Sequence, residues 1–181
     1  MVVSLRALRT LLLTIMMTAA AFAADVEKAS EYELKAAFLF NFAKYVEWPD
    51  QAAGAPPPLC IGVVGHDPFG ATLENLLAGK TVHTRPIGLR RFPSIDAVSD
   101  CHVVFVSASA EPPAAPDTWS RPGVLTVGET EAFLERGGVI AFAMEAGKLR
   151  FNVNAAAAER AGLKLSSQLL KLAGRVTKEG G

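Results

Sequence analysis

The chain has 181 residues, and its 18 Lys and Arg residues balance 18 Asp and Glu residues, so the formal net charge is zero. This balance argues against nucleic-acid binding, which depends on a basic surface that neutralises phosphates. The length corresponds to about one ordinary domain, which can bury a core without metals or many disulfides.

The first 23 residues have the three parts of a secretory signal peptide. Arg6 and Arg9 precede an apolar run over 11–21, and Ala21-Phe22-Ala23 is a small-x-small cleavage site. The apolar run is shorter than the roughly 20 residues that a transmembrane helix needs. An uncleaved N-terminal anchor is the alternative, but small residues surround the cleavage site. We therefore predict an exported protein that is cleaved near Ala23 and folds as one domain over residues 24–181.

The first predicted element of the mature chain is an aromatic helix over residues 30–48. Its helical periodicity places Leu34 and Phe42 on a buried face, with Phe40 among charged residues on the opposite side. An exposed aromatic side chain is a candidate for contact with a partner protein. A proline-rich linker follows at 50–58.

Short apolar segments then alternate with helical segments, which is typical of a mostly parallel sheet covered on both faces. The predicted strands are 59–65, 85–89, 102–107, 124–127 and 138–144, and 148–153 is predicted to be an antiparallel edge partner. Helices are predicted at 69–78 and 129–136, with a helical turn at 94–98.

The fold class predicted from this pattern is α/β, with a mostly parallel sheet of five to six strands. We expect it to be doubly wound, like a flavodoxin or Rossmann domain, with strand order 2-1-3-4-5. A C-terminal amphipathic cover helix is predicted over residues 155–175. The proline-rich segment 107–123 occupies the place of a crossover helix and is predicted to be a loop or a short helical remnant.

The chain has two cysteines: Cys60 opens the first sheet strand, and Cys101 immediately precedes the third. These two strands are neighbours in the predicted order. Adjacent strands lie about 4.8 Å apart, within the Cα separations of about 4.4–6.8 Å that a disulfide tolerates. A disulfide is therefore geometrically natural in an exported chain. Two buried free thiols are the alternative.

Polar side chains at the carboxyl edge of the predicted sheet are the candidates for small-molecule chemistry. His66 and Asp67 follow the first strand and Ser107 ends the third, so all three share the edge where α/β proteins bind ligands. They make an exported small-molecule-binding protein or a hydrolase the alternative function. A G-x-S-x-G elbow is absent from the sequence, and strand-end hydroxyls more often cap backbone groups. Histidine and cysteine spacings typical of a metal site are also absent.

Eight segments together carry a family resemblance. They are EYELKAAFLFNFAKYVEWP (31–49), GHDPFG (65–70), GK (79–80), CHVVFVS (101–107), VLTVG (124–128), GGVI (137–140), RFNVN (150–154) and AGLKLSSQLLKLA (161–173). In this order, and over nearly the whole mature chain, they closely resemble the YfiR family of periplasmic proteins.

The resemblance implies a periplasmic regulator that is not an enzyme and needs no cofactor. YfiR-like proteins bind the periplasmic sensor part of an inner-membrane diguanylate cyclase and hold it inactive, which lowers cyclic di-GMP and biofilm formation. An outer-membrane lipoprotein can sequester them, and the family suggests a homodimer. Phe40 and the Arg90-Arg91 pair are then the candidate partner contacts.

The resemblance also bears on the cysteines, whose redox state matters in the family. Cys60 and Cys101 occupy the two positions that match the family's motifs. A further cysteine pair of the namesake, near its carboxyl end, is absent from this sequence. The proline-rich segment 108–123 is a second departure, so partner contacts there are not carried over.

Overall fold

The computed structural model describes residues 31–49, 57–110 and 119–178. The predicted signal peptide and most of the proline-rich linker lie outside these ranges. Within them, no helix combines the length and the apolar character needed to cross a membrane.

The first helix, α1, covers residues 31–45 of the described chain and passes directly into the short strand β1 (Val46–Glu47). The prediction of a helix to residue 48 is therefore wrong at its end. The backbone of β1 pairs antiparallel with β9 (Lys164–Leu165), and this pairing replaces the last helical turn. The predicted buried face is also rotated, because Leu34 is 51% exposed whereas Leu39 and Phe42 are buried.

One sheet of eight strands forms the centre of the described structure. Its strands are β2 (Leu59–Val64), β3 (Thr81–Val82), β4 (Arg85–Phe92), β5 (Val103–Val106), β6 (Leu125–Gly128), β7 (Ile140–Glu145), β8 (Lys148–Asn154) and β10 (Arg175–Thr177). The spatial order is β10-β8-β7-β6-β5-β2-β4-β3. Every residue of β2, β5 and β6 is buried, as expected for parallel strands covered on both faces.

The sheet is mixed but mostly parallel. Only β7–β8 and β3–β4 pair antiparallel, and the order of β4, β2, β5, β6 and β7 agrees with the predicted 2-1-3-4-5 order. The prediction of five to six strands is too low, because β3 and β10 extend the two sides. Strand β8 pairs antiparallel with β7 as predicted, but it is not an edge strand because β10 pairs with its other side.

The predicted cover helix over 155–175 is wrong. The chain there forms α4 (Ala155–Arg160), β9, α5 (Ser167–Leu172) and β10 in succession. Gly162 has a φ of 73°, a left-handed conformation that ends α4, and the Ser166 side chain accepts a hydrogen bond from Leu169 N to begin α5. One consequence is that Leu172, predicted on the buried stripe, is 60% exposed.

Two apolar layers cover the faces of the sheet. Helix α1 and α2 (Ala71–Leu77) contribute to the larger cluster, whereas α3 (Glu131–Glu135) and Trp119 contribute to the smaller cluster. The connection from β4 to β5 contains a 3-10 turn (Ile95–Ala97), in agreement with the predicted helical turn, instead of a full helix. The architecture is thus α/β with a mixed, mostly parallel sheet, and the described residues do not test the doubly wound, flavodoxin-like arrangement in full.

Candidate functional site: the two edges of the sheet

A disulfide joins Cys60 and Cys101 at the amino edge of the sheet, with a Cα–Cα distance of 4.5 Å. Strands β2 and β5 are hydrogen-bonded neighbours, and His102 N donates to Cys60 O at 2.9 Å. Both cysteines are less than a tenth exposed. The pairing predicted from the strand order is therefore confirmed, because adjacent strands bring the two cysteines within disulfide range.

His102 lies beside the disulfide and connects it to two further side chains. Its Nδ1 is 3.3 Å from Cys60 N, its Nε2 is 2.9 Å from Arg85 Nη2, and its ring stacks on Trp48 at 5.9 Å. Both facing groups are hydrogen-bond donors, and a neutral imidazole accepts at only one nitrogen, so the ring accepts from one of them at a time. A protonated ring could accept from neither.

The pKa of His102 agrees with this geometry. Burial and, to a smaller extent, the nearby Arg85 guanidinium together lower the pKa of the ring to about 4. The imidazole is therefore neutral at physiological pH. The contacts of His102 with Arg85 and Trp48 were not predicted from the sequence, since these two side chains reach it from separate elements.

The carboxyl edge holds the three predicted ligand residues His66, Asp67 and Ser107, and the side chains of Asp67 and Ser107 engage other groups. Asp67 forms an ion pair with Arg91 at 2.6 Å and accepts a hydrogen bond from Phe69 N at 2.8 Å. The Ser107 hydroxyl is 3.1 Å from the Ser109 hydroxyl.

The imidazole of His66 makes no described contact with Ser107. Its backbone N–H donates to the Ser109 hydroxyl at 3.1 Å, and the residue is exposed. A hydrolase of the serine type needs a base within hydrogen-bond reach of the nucleophile. Among the described residues, the candidate serine and histidine share an edge without forming that pair.

A buried ion-pair network at the same edge was missed from the sequence. Lys35 on α1 is only 4% exposed, and its Nζ lies 2.6 Å from Glu129 Oε1, after β6. Glu129 also accepts from the Tyr32 hydroxyl at 3.1 Å and from Ala108 N at 3.0 Å, and Lys35 forms a second ion pair with Glu31. The network fixes α1 to the loops that follow β5 and β6.

The Tyr32 phenol responds to the same network. Burial raises its pKa, and the adjacent Glu129 carboxylate raises it further. The phenol therefore stays protonated and continues to donate. A signal existed in the sequence, since Glu129 directly follows a buried strand at this edge, but its partner lies 94 residues away.

The three predicted partner contacts lie in different environments. Phe40 is half-buried against the larger apolar cluster, and Lys44 Nζ lies 4.3 Å from the centre of its ring. Arg90 donates to Ser99 O at 2.8 Å, and Arg91 pairs with Asp67. Because successive strand residues point to opposite faces, Arg90 and Arg91 lie on different faces of the sheet.

Comparison with known proteins adds a family to this geometry. No curated protein matched the sequence at a significant level. A family model described as YfiR/HmsC-like matches residues 32–174. The matched range includes α1 from Tyr32 onward, the disulfide, both edges of the sheet and the C-terminal helices. It covers well over half of the chain, so the protein belongs to the YfiR/HmsC-like family.

Proposed function

We propose that this protein is a periplasmic regulator that binds the periplasmic sensor domain of an inner-membrane diguanylate cyclase and represses it, lowering cyclic di-GMP and biofilm formation. The observation that carries the proposal is the family match over residues 32–174, since the family suggests this regulatory role. The signal-peptide pattern of the first 23 residues supports the periplasmic location. A disulfide between the two cysteines is also in keeping with an oxidising compartment.

The side chains at the carboxyl edge support a binding role over a catalytic one. Asp67 is held by Arg91, and Ser107 is paired with Ser109 instead of a base. In addition, Glu129 is neutralised by Lys35. These contacts stabilise the fold. Among the described residues at this edge, they leave no nucleophile in hydrogen-bond contact with a base, as a hydrolase of the serine type requires.

The exposed part of Phe40, together with the adjacent Lys44, is our proposed contact with the cyclase. Phe40 retains exposed area, and the Lys44 ammonium lies over its ring, at the surface of the helix. Aromatic residues are enriched in protein interfaces, and a cation beside a ring can pair with an acidic partner. Arg90 and Arg91 are weaker candidates because each already has an intramolecular partner.

The experiment is recovery of the cyclase from detergent-solubilised membranes with the tagged mature protein as bait. We expect the wild-type bait to recover a transmembrane diguanylate cyclase and the double variant Phe40→Ala/Lys44→Glu to recover less than about a tenth as much. Lys148→Glu, a charge reversal on the β7–β8 hairpin, is the matched control and should recover the wild-type amount. Failure of the wild-type bait to recover any cyclase would contradict the proposal.

Two further partners belong to the same proposal. The family resemblance suggests sequestration by an outer-membrane lipoprotein and formation of a homodimer. Equilibrium sedimentation of the mature protein tests the second, and the lipoprotein can be sought in the same membrane extract. A monomer at all concentrations would remove the homodimer from the proposal without affecting cyclase binding.

A further inference from the structure

A cavity of about 250 Å³ opens at the carboxyl edge of the sheet, between the ends of β5 and β6 and helix α3. Its wall is mainly apolar. The lining includes Val106, Ser107, Trp119, Thr130, Phe133 and Arg136. The carboxyl edge of parallel strands is where α/β proteins commonly bind small molecules.

The aromatic wall of the cavity is held rigidly. The rings of Trp119 and Phe133 are 5.3 Å apart, and both residues are buried. Gly128 and Gly138 lie directly against the Phe133 ring, and a Cβ atom on either glycine would overlap it. The two glycines therefore allow Phe133 to pack flat on the backbone, and the wall is formed before any ligand arrives.

The charged side chains that line the cavity leave an excess of positive charge. The Glu129 carboxylate is neutralised by Lys35 and accepts two further hydrogen bonds. Arg136 lines the cavity, is exposed at its mouth, and has no ion-pair or hydrogen-bond partner for its guanidinium among the described residues. A guanidinium beside an apolar wall is suited to a carboxylate attached to an apolar body.

The geometry points to a binding site for a small aromatic carboxylate, with its ring against Trp119 and Phe133 and its carboxylate on Arg136. The volume lies just below the range of roughly 300–1,000 Å³ of drug-sized sites, so the ligand is a single compact ring system. This inference does not depend on the proposed cyclase partner, because the cavity can be tested on the isolated protein.

The experiment uses tryptophan fluorescence, since the chain has only two tryptophans. In the Trp48→Phe background, Trp119 is the sole reporter. The probes are phenylacetate and 3-phenylpropionate, with the neutral 2-phenylethanol and the ring-free acetate as comparisons. We expect saturable changes with both aromatic carboxylates, none with acetate, and binding of 2-phenylethanol at least about tenfold weaker, as expected for loss of a charge-assisted hydrogen bond.

Two variants complete the test, each made in the same background. Arg136→Gln should weaken phenylacetate binding by about tenfold or more and leave the affinity for 2-phenylethanol unchanged. Arg150→Gln, a substitution at another exposed arginine, should alter neither. The inference is overturned if neither aromatic carboxylate produces a saturable change up to millimolar concentration, or if Arg136→Gln and Arg150→Gln bind phenylacetate equally well.

Discussion

Removal of the disulfide should destabilise the protein by an amount that follows from the loop it closes. Cys60 and Cys101 are separated by 41 residues in the sequence. The chain-entropy relation for a loop of this length gives about 4 kcal/mol of stabilisation. Because a domain of this size shifts by about 2–4 °C per kcal/mol, the melting temperature should fall by about 8–16 °C.

The assay is urea unfolding of the mature wild type and of the double variant Cys60→Ala/Cys101→Ala, with and without dithiothreitol. The reductant should lower the urea midpoint of the wild type toward that of the double variant. It should leave the double variant unchanged, which controls for effects other than reduction. A loss of less than about 1 kcal/mol in the double variant would refute the reasoning, because loop closure would then contribute little.

Three further predictions concern packing, charge and pH. Gly138→Ala should lower the free energy of unfolding by at least about 2 kcal/mol because the added Cβ overlaps the ring of Phe133 in α3. The control Gly88→Ala has open space at its Cβ and should change the free energy of unfolding by less than about 1 kcal/mol. Equal effects of the two substitutions in thermal unfolding would contradict this. Lys35→Met should lower the free energy of unfolding in urea by about 3 kcal/mol, since it removes the cation beside the buried Glu129 carboxylate. A loss of less than about 1 kcal/mol would argue against the ion-pair network. The folded pKa of His102 is about 4, below the unfolded value of about 6.5, so the unfolded state binds more protons between these values. The contribution of the neutral His102 ring to stability is therefore full above about pH 6.5 and is lost as the pH falls toward 4. The stability of His102→Gln should depend less on pH over this window than that of the wild type, and parallel pH profiles would contradict this.

The sequence predicted those parts of the fold that depend on local pattern and on general rules of strand order. Buried strands such as β2 and β5 are continuous apolar runs, so their position and parallel pairing could be recognised. Their neighbouring positions then placed Cys60 and Cys101 together. The shared carboxyl edge of His66 and Ser107 follows from the same rule.

The parts that were mispredicted depend on contacts between distant segments. Helical periodicity continues from 155 to 175, but Gly162 in a left-handed conformation and the pairing of Leu165 with Val46 divide this range into two helices and two strands. Local periodicity cannot reveal a partner strand more than a hundred residues away.

The same limit applies to the sites. Lys35 faces inward because it forms an ion pair with Glu129, which is 94 residues away in the sequence. The same orientation of the helix leaves Leu34 exposed. The aromatic wall of the cavity was also missed. Gly128 and Gly138 look like ordinary turn glycines until the ring of Phe133 is placed against them.

The central claim is our proposal that the protein is exported and represses a membrane diguanylate cyclase from the periplasm. The most direct test is intracellular cyclic di-GMP in a deletion strain complemented either with the full chain or with residues 24–181 carrying only an initiator methionine. Deletion should raise cyclic di-GMP, and only the full chain, exported by its N-terminal segment, should restore the original level. Unchanged cyclic di-GMP on deletion, or restoration by the version without the N-terminal segment, would contradict the account.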